Sequence, residues 1–142
     1  MSVYALGDLH GHYEIYEKVK AMLKPEDTVY FLGDAGDRGP DSWKCIKAIY
    51  DDPQFIYIKG NHEDMFVRAA QAILTYRQMS NDFDPALASC YLEEFYEDEN
   101  VELAIWNGGK STLTDWISDG APRSFVERIK NLPVIYSYEN YD

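Results

Sequence analysis

Residues 28–40 of the chain read TVYFLGDAGDRGP, where an apolar run leads directly into glycines, two aspartates and an arginine. The apolar run, residues 28–32, predicts a buried strand, and the residues after it are typical of a turn. One interpretation of GDAGDRGP is therefore a turn with no further role. The other is a binding site, because Asp34 and Asp37 are metal-ligand types and Arg38 offers a charged fork for phosphate oxygens.

Two further strands are predicted to end in a similar way, one before Asp8 and one before Asn61. Asp8, Asp34 and Asn61 are separated by 26 and 27 residues, which leaves room for one helix in each interval. The pattern predicts a parallel βαβαβ sheet, whose strands all end at the edge where α/β proteins bind ligands. The predicted elements are a strand at 2–6, a helix at 11–24, a strand at 28–32, a helix at 40–52 and a strand at 55–58.

The second half of the chain is predicted to be mainly helical. The acidic segment from Glu93 to Glu102 is interpreted as a solvated helix face. Trp43, Trp106 and Trp116 are expected to pack in or around the core. No repeat or linker interrupts the chain, so residues 1–142 are predicted to form a single domain or part of one. The predicted elements are helices at 62–79, 86–98, 111–117 and 124–130, a break at 107–109 and a last strand at 134–138.

The composition limits the classes of partner. The chain has 142 residues, 46% of them hydrophobic, which is enough for one folded core. Its 13 basic and 25 acidic side chains give a net charge of −12, which disfavours nucleic acids and anionic membranes. Bound divalent cations reverse the sign locally, so a phosphorylated ligand stays compatible. Two isolated cysteines, with no long apolar run and no secretory leader, predict a cytoplasmic protein.

A metal site is predicted where the three strands end. Asp8 and His10 are two residues apart, so in an extended chain their side chains point the same way. Asp34 and Asn61 reach the same edge of the sheet from the two neighbouring strands. A ligand set of carboxylate, imidazole and amide groups suits manganese, iron or zinc better than a thiolate-binding metal.

Three further side chains are predicted to act on a bound phosphate. Arg38 is suited to phosphate oxygens because its guanidinium is planar and always charged. His62 is a candidate general acid, and Asp37 is a candidate partner that fixes its tautomer. Glu63 is interpreted as a favourable acidic residue in the first turn of a helix.

Three short motifs carry a family resemblance. They are GDLHG at 7–11, GDAGDRG at 33–39 and GNHE at 60–63. In this order they resemble the signature blocks of the metallophosphoesterases, and more narrowly those of the phosphoprotein phosphatase branch. The short spacings and the NGG break at 107–109 are most similar to serine/threonine protein phosphatases of the bacteriophage lambda type. The resemblance covers roughly the first 65 residues well.

The resemblance implies an α/β calcineurin-like fold with two divalent metal ions, Mn²⁺ being the expected metal and Fe or Zn alternatives. Asp8 and His10 would hold the first metal, Asp34 would bridge both, and Asn61 would ligate the second. A hydroxide bridging the two metals would attack phosphorus directly. The implied substrate is a phosphorylated protein or a small phosphoester.

The resemblance also implies roles in handling the phosphoryl group. Arg38 would clamp it together with Asn61 and His62. His62, oriented by Asp37, would protonate the leaving oxygen. The implied activity is that of a phosphoric monoester hydrolase.

The chain departs from the family pattern in its histidines. The family's second metal site uses two further histidines after GNHE, but this chain contains only His10, His12 and His62. We therefore expect an N-terminal βαβαβ half followed by a helical segment, without the C-terminal half of the β-sandwich. This chain alone is expected to have weak or no phosphatase activity. Two alternatives stay open: a symmetrical dinucleoside tetraphosphatase, and a non-catalytic relative that binds metal or a phosphorylated ligand.

Overall fold

The computed structural model describes residues 1–79, 84, 86, 88–95 and 97–134. Its sheet has three parallel strands in the order β1-β2-β3, with Val3 paired to Thr28 and Val29 paired to Phe55. One helix follows each of the first two strands, as the alternating pattern predicts. These elements are β1 (Val3–Leu6), α1 (Tyr13–Met22), β2 (Thr28–Phe31), α2 (Ser42–Asp51) and β3 (Phe55–Tyr57). The α/β class and the parallel sheet are confirmed, with ends that differ from the prediction by one or two residues.

Five helices follow the sheet in the described residues. They are α3 (Asn61–Met79), α4 (Ala88–Glu94), α5 (Glu99–Trp106), α6 (Lys110–Ser118) and α7 (Arg123–Lys130). Val134 lies outside any strand, and the remainder of the strand predicted at 134–138 falls outside the described residues. No helix in the residues that the structure describes combines the length and the apolar character that a bilayer span requires.

The helix predicted at 86–98 is wrong at its C-terminal end. The chain leaves α4 at Glu94 and starts α5 after Asp98, whose carboxylate accepts hydrogen bonds from the amides of Asn100 and Val101. Aspartate at this position satisfies amides that have no partner within the helix. The acidic segment therefore contains the end of α4 and the start of α5, which Asp98 caps. Its glutamates are exposed, but Val101 is buried.

An aromatic cluster fixes the helical segment against α2. Trp43 on α2 lies with its ring centroid 5.8 Å from that of Phe66 on α3 and 4.9 Å from that of Phe125 on α7. Phe66 also contacts Trp116 on α6 edge-on at 5.8 Å. The predicted packing of Trp43 and Trp116 is confirmed, but that of Trp106 is wrong, because this side chain is 85% exposed at the end of α5. The cluster thus holds α3 and α6 on the same side of α2.

Candidate metal and phosphate site

Three predicted metal ligands lie together beyond the ends of β1 and β2. One ligand atom from each of Asp8, His10 and Asp34 lies within 4.8 Å of the other two. Atoms that close can share one cation, and two carboxylates with one imidazole suit a divalent first-row metal. Among the described residues this is the one group of three or more histidine, cysteine or acidic side chains with such spacing. The donor set therefore fits the divalent ion that the sequence predicts.

The imidazole of His10 is already oriented for a ligand. Its Nδ1 lies 3.0 Å from the carbonyl oxygen of Gly36. A carbonyl only accepts, so Nδ1 carries the proton in this bond, and the Nε2 lone pair is free for a metal. The backbone amide of His10 donates to the Asp34 carbonyl at 3.0 Å, which ties the loop after β1 to the loop after β2.

The backbone of both loops adopts an unusual conformation. Left-handed φ angles are uncommon for residues other than glycine and cost about 1–3 kcal/mol each. Such strain concentrates at functional sites, where the surrounding structure enforces it. Apart from Ala121 (49°), every described non-glycine residue with positive φ belongs to the predicted site: Asp8 (54°), His10 (43°), Asp34 (64°), Asp37 (70°) and Arg38 (74°).

Glu63 lies in the first turn of α3, as predicted, and its side chain has a further role in joining two loops of the site. Its side chain is buried, and its carboxylate accepts hydrogen bonds from the amides of Asp34 (2.6 Å), Ala35 (3.0 Å) and Gly60 (2.8 Å). Burial raises the pKa of Glu63, and the three backbone N–H groups oppose that rise. Glu63 thus joins the loop after β2 to the start of α3. The bond to Gly60 is the glutamate half of a capping box, but glycine lacks the hydroxyl of the other half, so the usual sequence signal is absent.

His62 and Asp37 form a buried pair beside the metal group. The Nδ1 of His62 lies 2.7 Å from Oδ2 of Asp37, and both side chains are buried. The His62 ring contacts the His10 ring at a centroid distance of 4.8 Å, and the His62 amide donates to Oδ1 of Asp34 at 3.1 Å. Because the Nδ1–H of His62 donates to the carboxylate, Nε2 is the ring nitrogen that can exchange a proton with a ligand.

Arg38 lies on the exposed side of the same loop. Its amide donates to the Gly108 carbonyl at 2.8 Å, and it lines an open groove of about 530 Å³ together with Lys110, Thr114 and Asp115. Among the described residues neither Arg38 nor Lys110 has an acidic partner within ion-pair distance. Lys110 is a second cation beside Arg38 that sequence reasoning missed.

Asn61 is the first residue of α3 and is exposed. Asn61 directly precedes His62, and the backbone amide of His62 donates a hydrogen bond to the Asp34 carboxylate. The backbone therefore places Asn61 next to the metal group. Its side chain makes no hydrogen bond to the residues that the structure describes.

One buried contact comes from a distant part of the chain. The hydroxyl of Thr112 on α6 donates to Oδ1 of Asp37 at 2.6 Å, across 75 positions of sequence. No local pattern in the sequence marks Thr112, because the contact depends on how α6 packs.

Comparisons with known proteins match most of the chain to one family. The family described as Calcineurin-like phosphoesterase matches residues 1–139. A symmetrical bis(5'-nucleosyl)-tetraphosphatase of Buchnera aphidicola subsp. Schizaphis graminum is 31% identical over 120 residues, covering 80% of this chain and 40% of the relative. The corresponding protein of Buchnera aphidicola subsp. Acyrthosiphon pisum strain 5A is 29% identical over 109 residues, covering 75% of this chain and 37% of the relative.

A protein with a different activity also matches the first part of the chain. Serine/threonine-protein phosphatase 2 of Escherichia coli K12 is 34% identical over 70 residues, which cover 47% of this chain and 32% of the relative. This chain therefore spans between about a third and two fifths of the length of these curated relatives.

Proposed function

Because the chain belongs to the calcineurin-like phosphoesterase family, we propose that it carries the metal- and phosphate-binding part of a hydrolase that cleaves phosphoric esters or anhydrides. The observation that carries the proposal is the group of Asp8, His10 and Asp34, whose ligand atoms lie within 4.8 Å of one another. The buried pair of Asp37 and His62, in ring contact with His10, adds a proton donor to that group.

Asp8, His10 and Asp34 would hold a divalent cation, Mn²⁺ being the expected one, and Asn61 would take part in a second site. A cation there supplies charge that polarises phosphoryl oxygens and lowers the pKa of water. It also offsets locally the net charge of −12, which by itself would repel a phosphorylated substrate.

The chain's own side chains would orient the substrate and move the proton. Arg38 is exposed and has no acidic partner among the described residues, so its guanidinium is available to phosphate oxygens. His62 would protonate the leaving oxygen through Nε2, while Asp37 stays ionised and holds the proton on Nδ1.

The relatives support a dinucleoside tetraphosphate as the first candidate substrate. The two Buchnera proteins described above as symmetrical bis(5'-nucleosyl)-tetraphosphatases match three quarters or more of this chain. The groove lined by Arg38 and Lys110 offers two cations to one chain of phosphates, which agrees with a polyphosphate, although Asp115 adds one carboxylate to the same lining.

The pair of Asp37 and His62 supports a phosphoprotein as the second candidate. A nucleotide leaves phosphorus as a weakly basic phosphate, whereas a serine side chain leaves as a strongly basic alkoxide. A general acid therefore contributes far more to the cleavage of a phosphoserine ester. A buried pair with a 2.7 Å bond is the arrangement that such a step uses, and the Escherichia coli relative has this activity in its name.

Hydrolysis of the two substrates by the 142-residue chain distinguishes the candidates. We expect Mn²⁺-dependent cleavage of a dinucleoside tetraphosphate, with kcat/KM at least about tenfold above that for a phosphoserine peptide. The cleavage should be slow, because the described residues supply one group of three metal ligands. Addition of a chelator is the control and should stop the reaction. A preference for the peptide would select the second candidate. Tight Mn²⁺ binding with no cleavage of either substrate would select the non-catalytic alternative.

A further inference from the structure

Thr112 holds both the backbone and the side chain of Asp37. Its Oγ1 accepts the Asp37 backbone N–H at 3.1 Å and donates to Oδ1 of the same residue at 2.6 Å. An amide N–H only donates and a carboxylate only accepts, so these two bonds fix the direction of the hydroxyl proton. Thr112 is fully buried, so water does not compete for either bond.

The two oxygens of the Asp37 carboxylate have separate partners. Oδ1 accepts from Thr112 and Oδ2 accepts from Nδ1 of His62 at 2.7 Å. Rotation of the carboxylate about its own axis would break one bond or the other. The Thr112 hydroxyl therefore sets the plane in which the carboxylate meets the His62 ring.

The turn between α5 and α6 brings Thr112 to this position. The Gly108 carbonyl accepts the amide of Arg38 at 2.8 Å, and Gly108 has a left-handed φ of 92°. A Cβ on Gly108 would lie 2.7 Å from Cγ of Arg38, and one on Gly109 would lie 3.3 Å from Oδ1 of Asp37. The two glycines thus allow a backbone contact that seats the first turn of α6 on the loop that carries Asp37 and Arg38.

We propose that Thr112 is a positioning residue for proton transfer at this site, an inference that rests on the hydrolysis proposed above. Thr112 fixes the Asp37 carboxylate, and the carboxylate directs Nε2 of His62 toward the leaving oxygen. In the step, His62 carries a proton on each ring nitrogen. A water oxygen bonds to phosphorus and loses a proton to solvent, the bond from phosphorus to the leaving oxygen breaks, and the Nε2 proton of His62 moves to that oxygen. Asp37 stays ionised, and the ring recovers its proton from solvent.

The proposal predicts an effect that depends on the leaving group. A strongly basic leaving oxygen, such as that of phosphoserine, needs the proton in the transition state, whereas p-nitrophenolate leaves without it. Thr112→Val keeps the shape of the side chain and removes the hydroxyl. We expect it to lower kcat on a phosphoserine peptide at least about tenfold, and kcat on p-nitrophenyl phosphate less than about threefold.

A second readout does not depend on turnover. Nitrogen-15 NMR of the imidazole rings in the metal-free chain reports which nitrogen of His62 carries the proton. We expect the wild-type chain and Thr112→Ser to show the tautomer protonated at Nδ1, and Thr112→Val to show a mixture. Thr75→Val is the matched control, because it removes a helical threonine hydroxyl that bonds only the Gln71 carbonyl among the described residues.

The outcomes separate this inference from the proposed function. An unchanged His62 tautomer in Thr112→Val, or an equal loss of kcat on both substrates, would overturn the positioning role. Restoration of the wild-type tautomer by Thr112→Ser, but not by valine, would support it. If the wild-type chain cleaves none of the phosphoserine peptide, p-nitrophenyl phosphate and the dinucleoside tetraphosphate, the proposed function fails, while the NMR comparison still decides whether Thr112 orients the pair.

Discussion

Replacing Asp34 with asparagine is expected to weaken Mn²⁺ binding by the chain at least about 100-fold. Loss of a residue that only supports a metal ligand costs up to about 100-fold in affinity, and Asp34 is itself one of the proposed ligands. The substitution removes the charge of one ligand from a group whose atoms lie within 4.8 Å of one another. Asparagine tolerates the left-handed φ of 64° at this position, and its carbonyl oxygen can still accept the His62 amide. The loss would therefore reflect the missing ligand charge and not a disrupted loop.

Electron paramagnetic resonance of free Mn²⁺ during titration with the protein measures this affinity. Asp41→Asn is the matched control, because Asp41 is an exposed aspartate close in sequence that does not belong to the metal group. It should bind Mn²⁺ within about twofold of the wild-type chain, since an exposed charge outside the site is weakly coupled to it. Wild-type affinity in the Asp34→Asn chain would remove Asp34 from the site.

Replacing Glu63 with alanine is expected to lower the free energy of unfolding by about 3 kcal/mol or more. The change leaves the amides of Asp34, Ala35 and Gly60 without their acceptor. An unsatisfied buried donor costs about 1–3 kcal/mol, and the part-buried amides of Asp34 and Gly60 fall at the low end of that range. Glu63→Gln retains one oxygen acceptor and should lose less. Urea denaturation of the metal-free chain gives these values without a contribution from metal binding.

The neighbouring Asp64 supplies the control for this prediction. Its carboxylate pairs with Nε of Arg68 at 3.0 Å, one helical turn away and largely exposed. Pairs of this kind contribute about 0.3–0.5 kcal/mol, so Asp64→Ala should have a small effect. If Glu63→Ala were no more destabilising than Asp64→Ala, the three hydrogen bonds from backbone amides to Glu63 would not connect the loops in the way described.

The parts of the site that could be predicted are those encoded locally. Asp8, Asp34 and Asn61 each follow an apolar run, and parallel pairing of the three runs is enough to bring them to one edge. The pair of Asp37 and His62 follows from the same reasoning, because both lie within three residues of a predicted metal ligand. Their roles in catalysis stay predictions.

The parts that were missed depend on packing or on a cap. Thr112 reaches Asp37 across 75 positions, and only the seating of α6 brings them together. The start of α5 was missed because Asp98, a capping residue, lies within an acidic run that resembles a solvated face. Its residue type predicts that Trp106 packs in or around the core, yet it lies at a helix end where nothing in the described residues covers it.

Diffraction from crystals of the chain soaked with Mn²⁺ and inorganic phosphate shows whether the candidate site binds a metal and a phosphate together, because the anomalous signal locates manganese. We expect a manganese ion bound by Asp8, Asp34 and Nε2 of His10, with a phosphate oxygen within hydrogen-bond distance of Nε2 of His62. A manganese ion bound elsewhere, or none at these three side chains at saturating Mn²⁺, would contradict the proposed metal site.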